Sequence, residues 1–161
     1  YLEHKNIWGY EGDVPEDENL IPFGKGRLEK EGNDITIVSW SAQMHIAANA
    51  ATLLQAEGIS AELIDLRTLW PWDKQMVFDS VEKTGRLLIT HESVSVGGFG
   101  AEIAATVAEQ LFSVLKSPIT RCAAPRVPIS YAPPLEDKIR VSSEQIVEAA
   151  RKLVEASAGK K

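Results

Sequence analysis

The dipeptide His91-Glu92 places an imidazole beside a carboxylate, the combination that general acid–base catalysis uses. It directly follows a predicted strand, at the end of which ligands collect in open α/β sheets. Adjacent residues of an extended chain point in opposite directions, so the two groups do not pair automatically. Two roles for His91 and Glu92 are therefore open: direct catalysis, or the favoured structural or interface role.

A second candidate is the run Gly97-Gly98-Phe99-Gly100, which comes at the start of a predicted helix. Free backbone amides at a helix start can cradle an anion. The spacing matches neither the dinucleotide-binding fingerprint nor a P-loop. Glycines at a helix entry more often permit a tight turn and close packing, so we favour this interpretation of Gly97, Gly98 and Gly100 over anion binding.

The third candidate follows the preceding predicted strand. Asp65 and Arg67 fall on one side of an extended segment, where they can form an ion pair or meet a partner subunit. A structural pair is the favoured interpretation. Nearby, Trp70-Pro71-Trp72 is equally consistent with an interface anchor and with core packing.

The sequence lacks the residue patterns that metal sites and nucleophilic catalysis require. No metal-ligand spacing, nucleophile elbow or thiolate–imidazole pair is visible, and His4 and His45 have no obvious partner. The single cysteine, Cys122, lies in a short apolar run and is predicted to be a small buried hydrophobe. One cysteine excludes an internal disulfide and favours a reducing compartment. We therefore assign no catalytic, cofactor-binding or metal-binding residue.

Charge and composition narrow the range of partners. The net charge is −6 over 161 residues, and residues 1–19 hold six acids against Lys5. Such an acidic leader repels phosphate backbones, so we expect no nucleic-acid partner. No apolar run approaches the length of about 20 residues that spans a membrane, so we expect no membrane partner. The start, which has neither Met nor an apolar signal core, is expected to be a trimmed end.

Strands and helices are predicted to alternate after an extended arm or linker at residues 1–33. Apolar runs predict four strands, at residues 35–38, 61–66, 86–90 and 119–123. Predicted helices occupy residues 43–57, 73–83 and 100–115, and a last helix follows a proline-rich loop. The predicted caps are Ser41, Asp73, and Ser142 or Ser143. Predicted core residues on the strands are Ile37, Val38, Ile64, Leu88 and Ile89.

This alternation predicts an α/β domain with a parallel, helix-covered sheet. We place the domain at residues 34–156 and a frayed tail at residues 157–161.

Several ordered motifs resemble one family over essentially the whole chain. The motifs are Ile64-Asp65-Leu66-Arg67-Thr68, Pro71-Trp72-Asp73, Lys83-Thr84-Gly85-Arg86, His91-Glu92, Gly97-Gly98-Phe99-Gly100-Ala101-Glu102-Ile103 and Tyr131-Ala132-Pro133-Pro134-Leu135-Glu136-Asp137. They are similar to the β subunits of the thiamine-diphosphate-dependent E1 components of pyruvate, branched-chain 2-oxo acid and acetoin dehydrogenase complexes. At Pro125-Arg126-Val127-Pro128 the chain lacks the acidic turn of many relatives, so no role for that acid is carried over.

The resemblance implies a transketolase carboxy-terminal domain. This fold is a three-layer α/β/α arrangement around a five-stranded, mostly parallel mixed sheet with one antiparallel edge strand. Because the pattern gives only four strands, the fifth is expected in the arm or in the proline loop. In the whole enzyme, thiamine diphosphate and Mg²⁺ lie outside this domain, so the domain alone is expected to bind neither and to be inactive.

The implied function is an assembly role within an oxidoreductase. The family decarboxylates a 2-oxo acid oxidatively and transfers the acyl group to a lipoyl group on E2, in the bacterial cytoplasm or the mitochondrial matrix. The implied partners are the E1 α subunit, a second E1 β subunit and the subunit-binding domain of E2.

An acidic surface gives the last of these partners a physical basis. Its candidate residues are Glu136, Asp137, Glu144 and Glu148. Such a surface can steer a basic partner. The alternative is an ordinary solvated helix face that also carries Arg151 and Lys152.

Two further functions rank below this one. The chain can be a free-standing nucleotide- or anion-binding module that uses residues 97–100. It can also be an interaction domain of another thiamine enzyme, such as a transketolase or a 2-oxo acid:ferredoxin oxidoreductase. Fold alone does not separate these functions, because such sheets host many activities.

Overall fold

Strands and helices alternate along the chain, as the apolar pattern predicts. The computed structural model describes residues 2–17 and 20–158. Its strands are β1 (Arg27–Lys30), β2 (Ile35–Ser39), β3 (Ala61–Asp65), β4 (Leu87–Val94) and β5 (Thr120–Ala124). Its α-helices are α1 (Gln43–Ala56), α2 (Lys74–Thr84), α3 (Gly100–Leu111), α4 (Pro133–Ile139) and α5 (Ser143–Ala158). Short 3-10 helices cover Lys5–Ile7 and Phe112–Val114.

The five strands form one mixed sheet in the order β1-β3-β2-β4-β5. Strands β2 to β5 pair in parallel, and β1 pairs antiparallel with β3 at one edge. The predicted five-stranded, mostly parallel sheet is confirmed.

The fifth strand, β1, lies in the segment that the sequence assigned to an extended arm. Residues 27–30 are therefore an edge strand rather than a linker, with Arg27 opposite Asp65 and Leu28 opposite Ile64. Their charged side chains and a shift of register between Leu28 and Lys30 are typical of a protected sheet edge. Those charges also explain why the apolar pattern did not predict the strand.

Two apolar layers cover the sheet and complete the three-layer architecture. Helices α1 and α5 pack on the face that Ile37 and Leu88 share, and α2 and α3 pack on the face of Val38, Ile64 and Ile89. All five side chains are fully buried, which confirms the predicted strand core. Among the described helices, none is long and apolar enough to cross a membrane.

The helix ends follow their predicted caps in two cases. Asp73 accepts a hydrogen bond from the backbone N–H of Met76 and begins α2. Ser142 begins α5, where its hydroxyl accepts from the N–H of Gln145 and its own N–H donates to the side chain of Gln145. This reciprocal pair is a capping box.

The prediction that Ser41 caps α1 is wrong. Ser41 has a φ of 57°, and Ala42, which makes no side-chain cap, precedes the helix. The main-chain carbonyl of Ser41, rather than its hydroxyl, accepts the N–H of Met44. A local pattern cannot show this left-handed turn in advance, because serine rarely adopts such a φ.

From the end of α3 onward, the structure differs from the predicted pattern in three further places. Helix α3 ends at Leu111 and a 3-10 turn replaces its last predicted residues. Part of the proline-rich loop is helical, because Pro133 and Pro134 occupy the first helical positions, where no backbone N–H is needed. Helix α5 continues to Ala158, and residues 159–161 of the predicted tail lie outside the described residues.

Candidate functional site at the carboxyl edge of the sheet

His91 lies near the carboxyl end of β4 and has no solvent-exposed surface. Its Nδ1 is 3.0 Å from the hydroxyl of Ser93, and its ring stacks on Trp40 with the centroids 5.1 Å apart. The other side of the ring meets the glycine run. A β-carbon added to Gly98 would lie 2.7 Å from Cε1 of His91, and one added to Gly100 would lie 2.5 Å from Nε2.

The glycines therefore make room for an imidazole. This observation supports the tight-packing interpretation of Gly98 and Gly100, because the space beside the start of α3 holds a side chain. Gly97 has a φ of +77° and open space around it, so it serves the turn before the helix. The anion-binding alternative depends on the backbone amides of this run rather than on the space beside its α-carbons, so it stays a prediction.

The electrostatic setting of His91 favours its neutral form. Burial lowers the pKa of His91, the hydrogen bond at Ser93 raises it, and the positive charge of Arg121 lowers it further. Nε2 has no hydrogen-bond partner among the residues that the structure describes. A neutral, solvent-inaccessible imidazole cannot exchange protons freely with a substrate in solution, so the geometry supports a structural role.

Glu92 points away from His91, as the alternation along a strand predicts. Its side chain is 46% exposed, and Oε2 lies 2.6 Å from Nε2 of His4. The residue therefore contacts the amino-terminal segment rather than its sequence neighbour. The sequence offered no partner for His4 or His45, but the structure gives each of them one. His4 contacts Glu92, and Tyr10 stacks on His45 with the ring centroids 4.0 Å apart.

Asp65 and Arg67 meet at the carboxyl end of β3. Oδ1 of Asp65 accepts a hydrogen bond of 2.9 Å from the backbone N–H of Arg67, whose φ is 56°. Burial raises the pKa of Asp65, while this hydrogen bond lowers it. The favoured structural pair is thus made by the main chain of Arg67 instead of its guanidinium.

Of the two tryptophans, one packs in the core and the other is exposed as an interface anchor would be. Trp72 is 4% exposed and packs edge-on against Phe78, so it belongs to the core. Trp70 is 76% exposed, so it is available to a partner.

The acidic candidates lie on two helices. Glu136 on α4 forms an ion pair with Arg140, the residue that follows the helix, and Asp137 beside it is exposed. On α5, the Ser142 hydroxyl and a backbone N–H lower the pKa of Glu144, and Lys152 lowers that of Glu148, which it contacts at 2.6 Å.

Two of these acidic residues, Glu144 and Glu148, line a groove between α1 and α5. Its charged lining residues are Glu57, Glu144, Glu148, Arg151, Lys152 and Glu155. Arg151 binds Glu57 with two nitrogens and thereby joins the two helices. The structure thus brings Glu144 and Glu148 to one groove, whereas Glu136 and Asp137 lie apart from it on α4.

No metal centre is visible in the described part of the chain. Within residues 2–17 and 20–158, no three His, Cys, Asp or Glu side chains come together in the way that holds a metal ion.

A comparison with protein families decides the membership of the chain. The family described as transketolase, C-terminal domain, matches residues 24–146. The chain belongs to the transketolase carboxy-terminal domain family. The match begins just before β1, so the edge strand is part of the family fold.

Relatives of this transketolase carboxy-terminal domain include β subunits of E1 enzymes. It is 43% identical over 152 residues to the β subunit of acetoin:2,6-dichlorophenolindophenol oxidoreductase of Cupriavidus necator, covering 94% of this chain and 45% of that one. It is 39% identical over 153 residues to the pyruvate dehydrogenase E1 β subunit of Rickettsia bellii, covering 95% and 47%. It is 55% identical over 109 residues to the mitochondrial 2-oxoisovalerate dehydrogenase subunit beta 2 of Arabidopsis thaliana, covering 68% and 30%. The resemblance to E1 β subunits is confirmed, and the chain spans about half the length of the first and second of these relatives.

The fold also matches solved structures. A split-gene transketolase in an inactive β4 tetramer superposes with a TM-score of 0.76 at 27% identity, over 91% of this chain and 46% of that one. A 2-oxoglutarate:ferredoxin oxidoreductase from Magnetococcus marinus gives a TM-score of 0.57 at 13% identity, over 81% and 20%, and shows the fold alone.

Sequence reasoning missed the aromatic partner of His91 in this transketolase carboxy-terminal domain. Trp40 follows β2, and β2 pairs with β4, so the two rings meet only once the sheet is formed. The sequence signal for this packing was the pair Gly98 and Gly100, which leaves room for one side chain. Which side chain fills that room depends on tertiary packing.

Proposed function

We propose that this chain is the carboxy-terminal assembly domain of the β subunit of a 2-oxo acid dehydrogenase E1. The whole enzyme then decarboxylates a 2-oxo acid oxidatively and passes the acyl group to lipoyl-E2. The observation that carries the proposal is the alignment with E1 β subunits along nearly all of this chain but about half of theirs. Bacterial and mitochondrial relatives support a place in the bacterial cytoplasm or the mitochondrial matrix.

Thiamine diphosphate and Mg²⁺ belong to the proposed enzyme but do not fit the residues present here. The described residues bring no three potential metal ligands together, and the ring of His91 fills the glycine cradle at the start of α3. We therefore place the cofactor site in the rest of the enzyme and expect this chain alone to be inactive.

The contribution of this domain is to present rigid surfaces to other subunits. The close packing of His91 against Trp40 and the two glycines fixes the carboxyl edge of the sheet. The exposed Trp70 follows β3 at the same edge. Residues 125–139 add a second surface. Their large apolar side chains Val127, Ile129, Tyr131 and Leu135 are all exposed, and α4 has no buried residue. Exposed apolar groups gathered on one segment are typical of protein interfaces, so we assign them to the α subunit or a second β subunit.

The groove between α1 and α5 is the surface that we assign to the E2 subunit-binding domain. Four acidic and two basic side chains line it, so the groove has an excess of negative charge. Such an excess raises the rate of encounter with a basic partner and weakens in salt.

Reversal of this charge gives a direct prediction. In the assembled E1, replacing both Glu144 and Glu148 with Lys is expected to slow association with the E2 subunit-binding domain about tenfold at low salt, and less at high salt. Glu109→Lys, on the opposite face of the sheet in α3, is the matched control and is expected to change little. Stopped-flow measurement supplies both rates. An unchanged association rate at low salt would leave the groove as a solvated surface.

The activity itself is tested on the full β subunit that contains this chain, assembled with its α subunit. We expect reduction of 2,6-dichlorophenolindophenol that depends on thiamine diphosphate and on pyruvate or a branched 2-oxo acid. The α subunit alone is the control. Ketol transfer between sugar phosphates, without any oxidation of a 2-oxo acid, would instead identify a transketolase and overturn the proposal.

A further inference from the structure

The segment of residues 4–10, called the strap below, contacts the carboxyl edge of the sheet at two points. At one end, Nε2 of His4 lies 2.6 Å from Oε2 of Glu92, near the carboxyl end of β4. At the other end, the ring of Tyr10 stacks on that of His45 with an interplanar angle of 3°. His45 is in the first turn of α1, directly after β2. One contact is therefore made on β4 and the other on the helix that follows β2, and β2 and β4 are neighbouring strands.

The space between these strands is where the strand order reverses. From β2 the chain passes to β3 on one side, and it later returns to β4 on the other side of β2. In open α/β sheets, ligands bind in the crevice beyond the carboxyl ends of the strands at such a reversal. The two anchors of the strap lie on either side of this position, at Glu92 after the core of β4 and at His45 after β2.

The internal geometry of the strap depends on these contacts. Nδ1 of His4 accepts the backbone N–H of Asn6, so the ring proton is on Nε2, which donates it to Glu92. The amides of Ile7 and Trp8 then close a 3-10 turn by donating to His4 and Lys5, and the amide of Tyr10 closes the next turn by donating to Ile7. A single such turn is not stable by itself in water, and none of its residues is buried. The contacts of His4 with Glu92 and of Tyr10 with His45 tie this turn to the rest of the domain.

We propose that the carboxyl edge between β2 and β4 is a recognition surface for a short segment with a histidine and, six residues later, a tyrosine. In this chain, residues 4–10 occupy the surface and act as a strap that closes the crevice. Both anchors are polar or exposed, and exposed contacts of this kind are weak. The strap therefore opens without unfolding the sheet.

Hydrogen exchange of the intact chain tests the strap. The amides of Ile7, Trp8 and Tyr10 are expected to exchange slowly in the parent protein. In Glu92→Ala and in His45→Ala, each of which removes one anchor, exchange is expected to accelerate roughly two- to tenfold. Glu109→Ala, which removes an exposed acid on α3, is the matched control and is expected to leave these amides unchanged. Amides in β2 and β4 are expected to exchange equally slowly in all four proteins.

Three results would overturn the proposal. In the first, these amides exchange in the parent protein as fast as in an unstructured peptide, which would mean that the strap does not contact the sheet. Their rates can stay the same when either anchor is removed, which would mean that the anchors do not hold it. Protection can also rise with protein concentration, which would seat residues 4–10 on a second copy of the chain instead of on their own sheet.

Discussion

At the scale of single residues, the carboxyl edge is organised around one buried imidazole. His91 is held between the ring of Trp40 and the backbone at Gly98 and Gly100, and one of its nitrogens lacks a protein partner. Burying an unpaired polar atom costs free energy, so the close packing around it must offset that cost. The glycines are therefore required for space rather than for backbone flexibility.

Gly100→Ala tests this requirement. The added methyl group would lie 2.5 Å from Nε2 of His91, so either the ring or the start of α3 must shift. We expect the free energy of unfolding to fall by about 1–3 kcal/mol, as overpacked cores do. Gly12→Ala, with nothing within 4 Å, is the control and is expected to change stability by less than about 0.5 kcal/mol. Urea titration measures both, and equal stability of the two variants would contradict the packing argument.

The burial of His91 also predicts a dependence on pH. Burial lowers the pKa of His91 in the folded chain, so below about pH 6.5 the unfolded chain takes up a proton that the folded chain does not. Stability conferred by the neutral ring is thus present at neutral pH and is lost as the pH falls. His91→Phe removes the titrating group and is expected to lose less stability than the parent between about pH 7 and about pH 5. Parallel pH profiles in urea titrations would show that His91 does not contribute.

At the scale of elements, Asp73 ties the edge strand to a helix. Its side chain caps α2 through the N–H of Met76 and also accepts the N–H of Gly26, immediately before β1. One carboxylate therefore fixes both the start of α2 and the entry into β1.

Asp73→Ala is expected to destabilise the fold by about 1–2 kcal/mol, because it removes a helix cap. Asp79→Ala, on the exposed side of the same helix, is the control and should cost less than about 0.5 kcal/mol. Thermal or urea unfolding compares the two. A loss at Asp73 no larger than that at Asp79 would mean that the cap does not stabilise the junction.

Sequence patterns predicted those elements whose signals are local. Asp73 before an apolar stripe was sufficient to place α2, and four apolar runs were sufficient to place β2 to β5. The polar bonds within the core were not predictable in this way. The hydroxyl of Thr36 on β2 lies 2.7 Å from that of Ser80 and 2.8 Å from that of Thr84, both on α2. All three side chains are buried, and these hydrogen bonds replace those that they would make with water. Such pairing depends on which faces meet in the fold.

At the scale of the whole molecule, we assign three surfaces to assembly: the carboxyl edge of the sheet, residues 125–139 and the groove between α1 and α5. The residue types on these surfaces, and the proximity of Glu144 and Glu148 along one helix, were predictable from the sequence. The groove that they line was not, because it forms only where α5 packs on α1 and Arg151 bridges to Glu57. We propose that these surfaces serve assembly and that the cofactor binds elsewhere in the enzyme.

Calorimetric titration with thiamine diphosphate and Mg²⁺ tests whether the cofactor binds outside this domain. The isolated chain is expected to keep its fold, checked by circular dichroism, and to give no saturable heat of binding. The full β subunit assembled with its α subunit is the matched control and is expected to bind the cofactor in a Mg²⁺-dependent manner. Micromolar, Mg²⁺-dependent binding by the isolated chain would contradict the assignment of this domain to assembly alone.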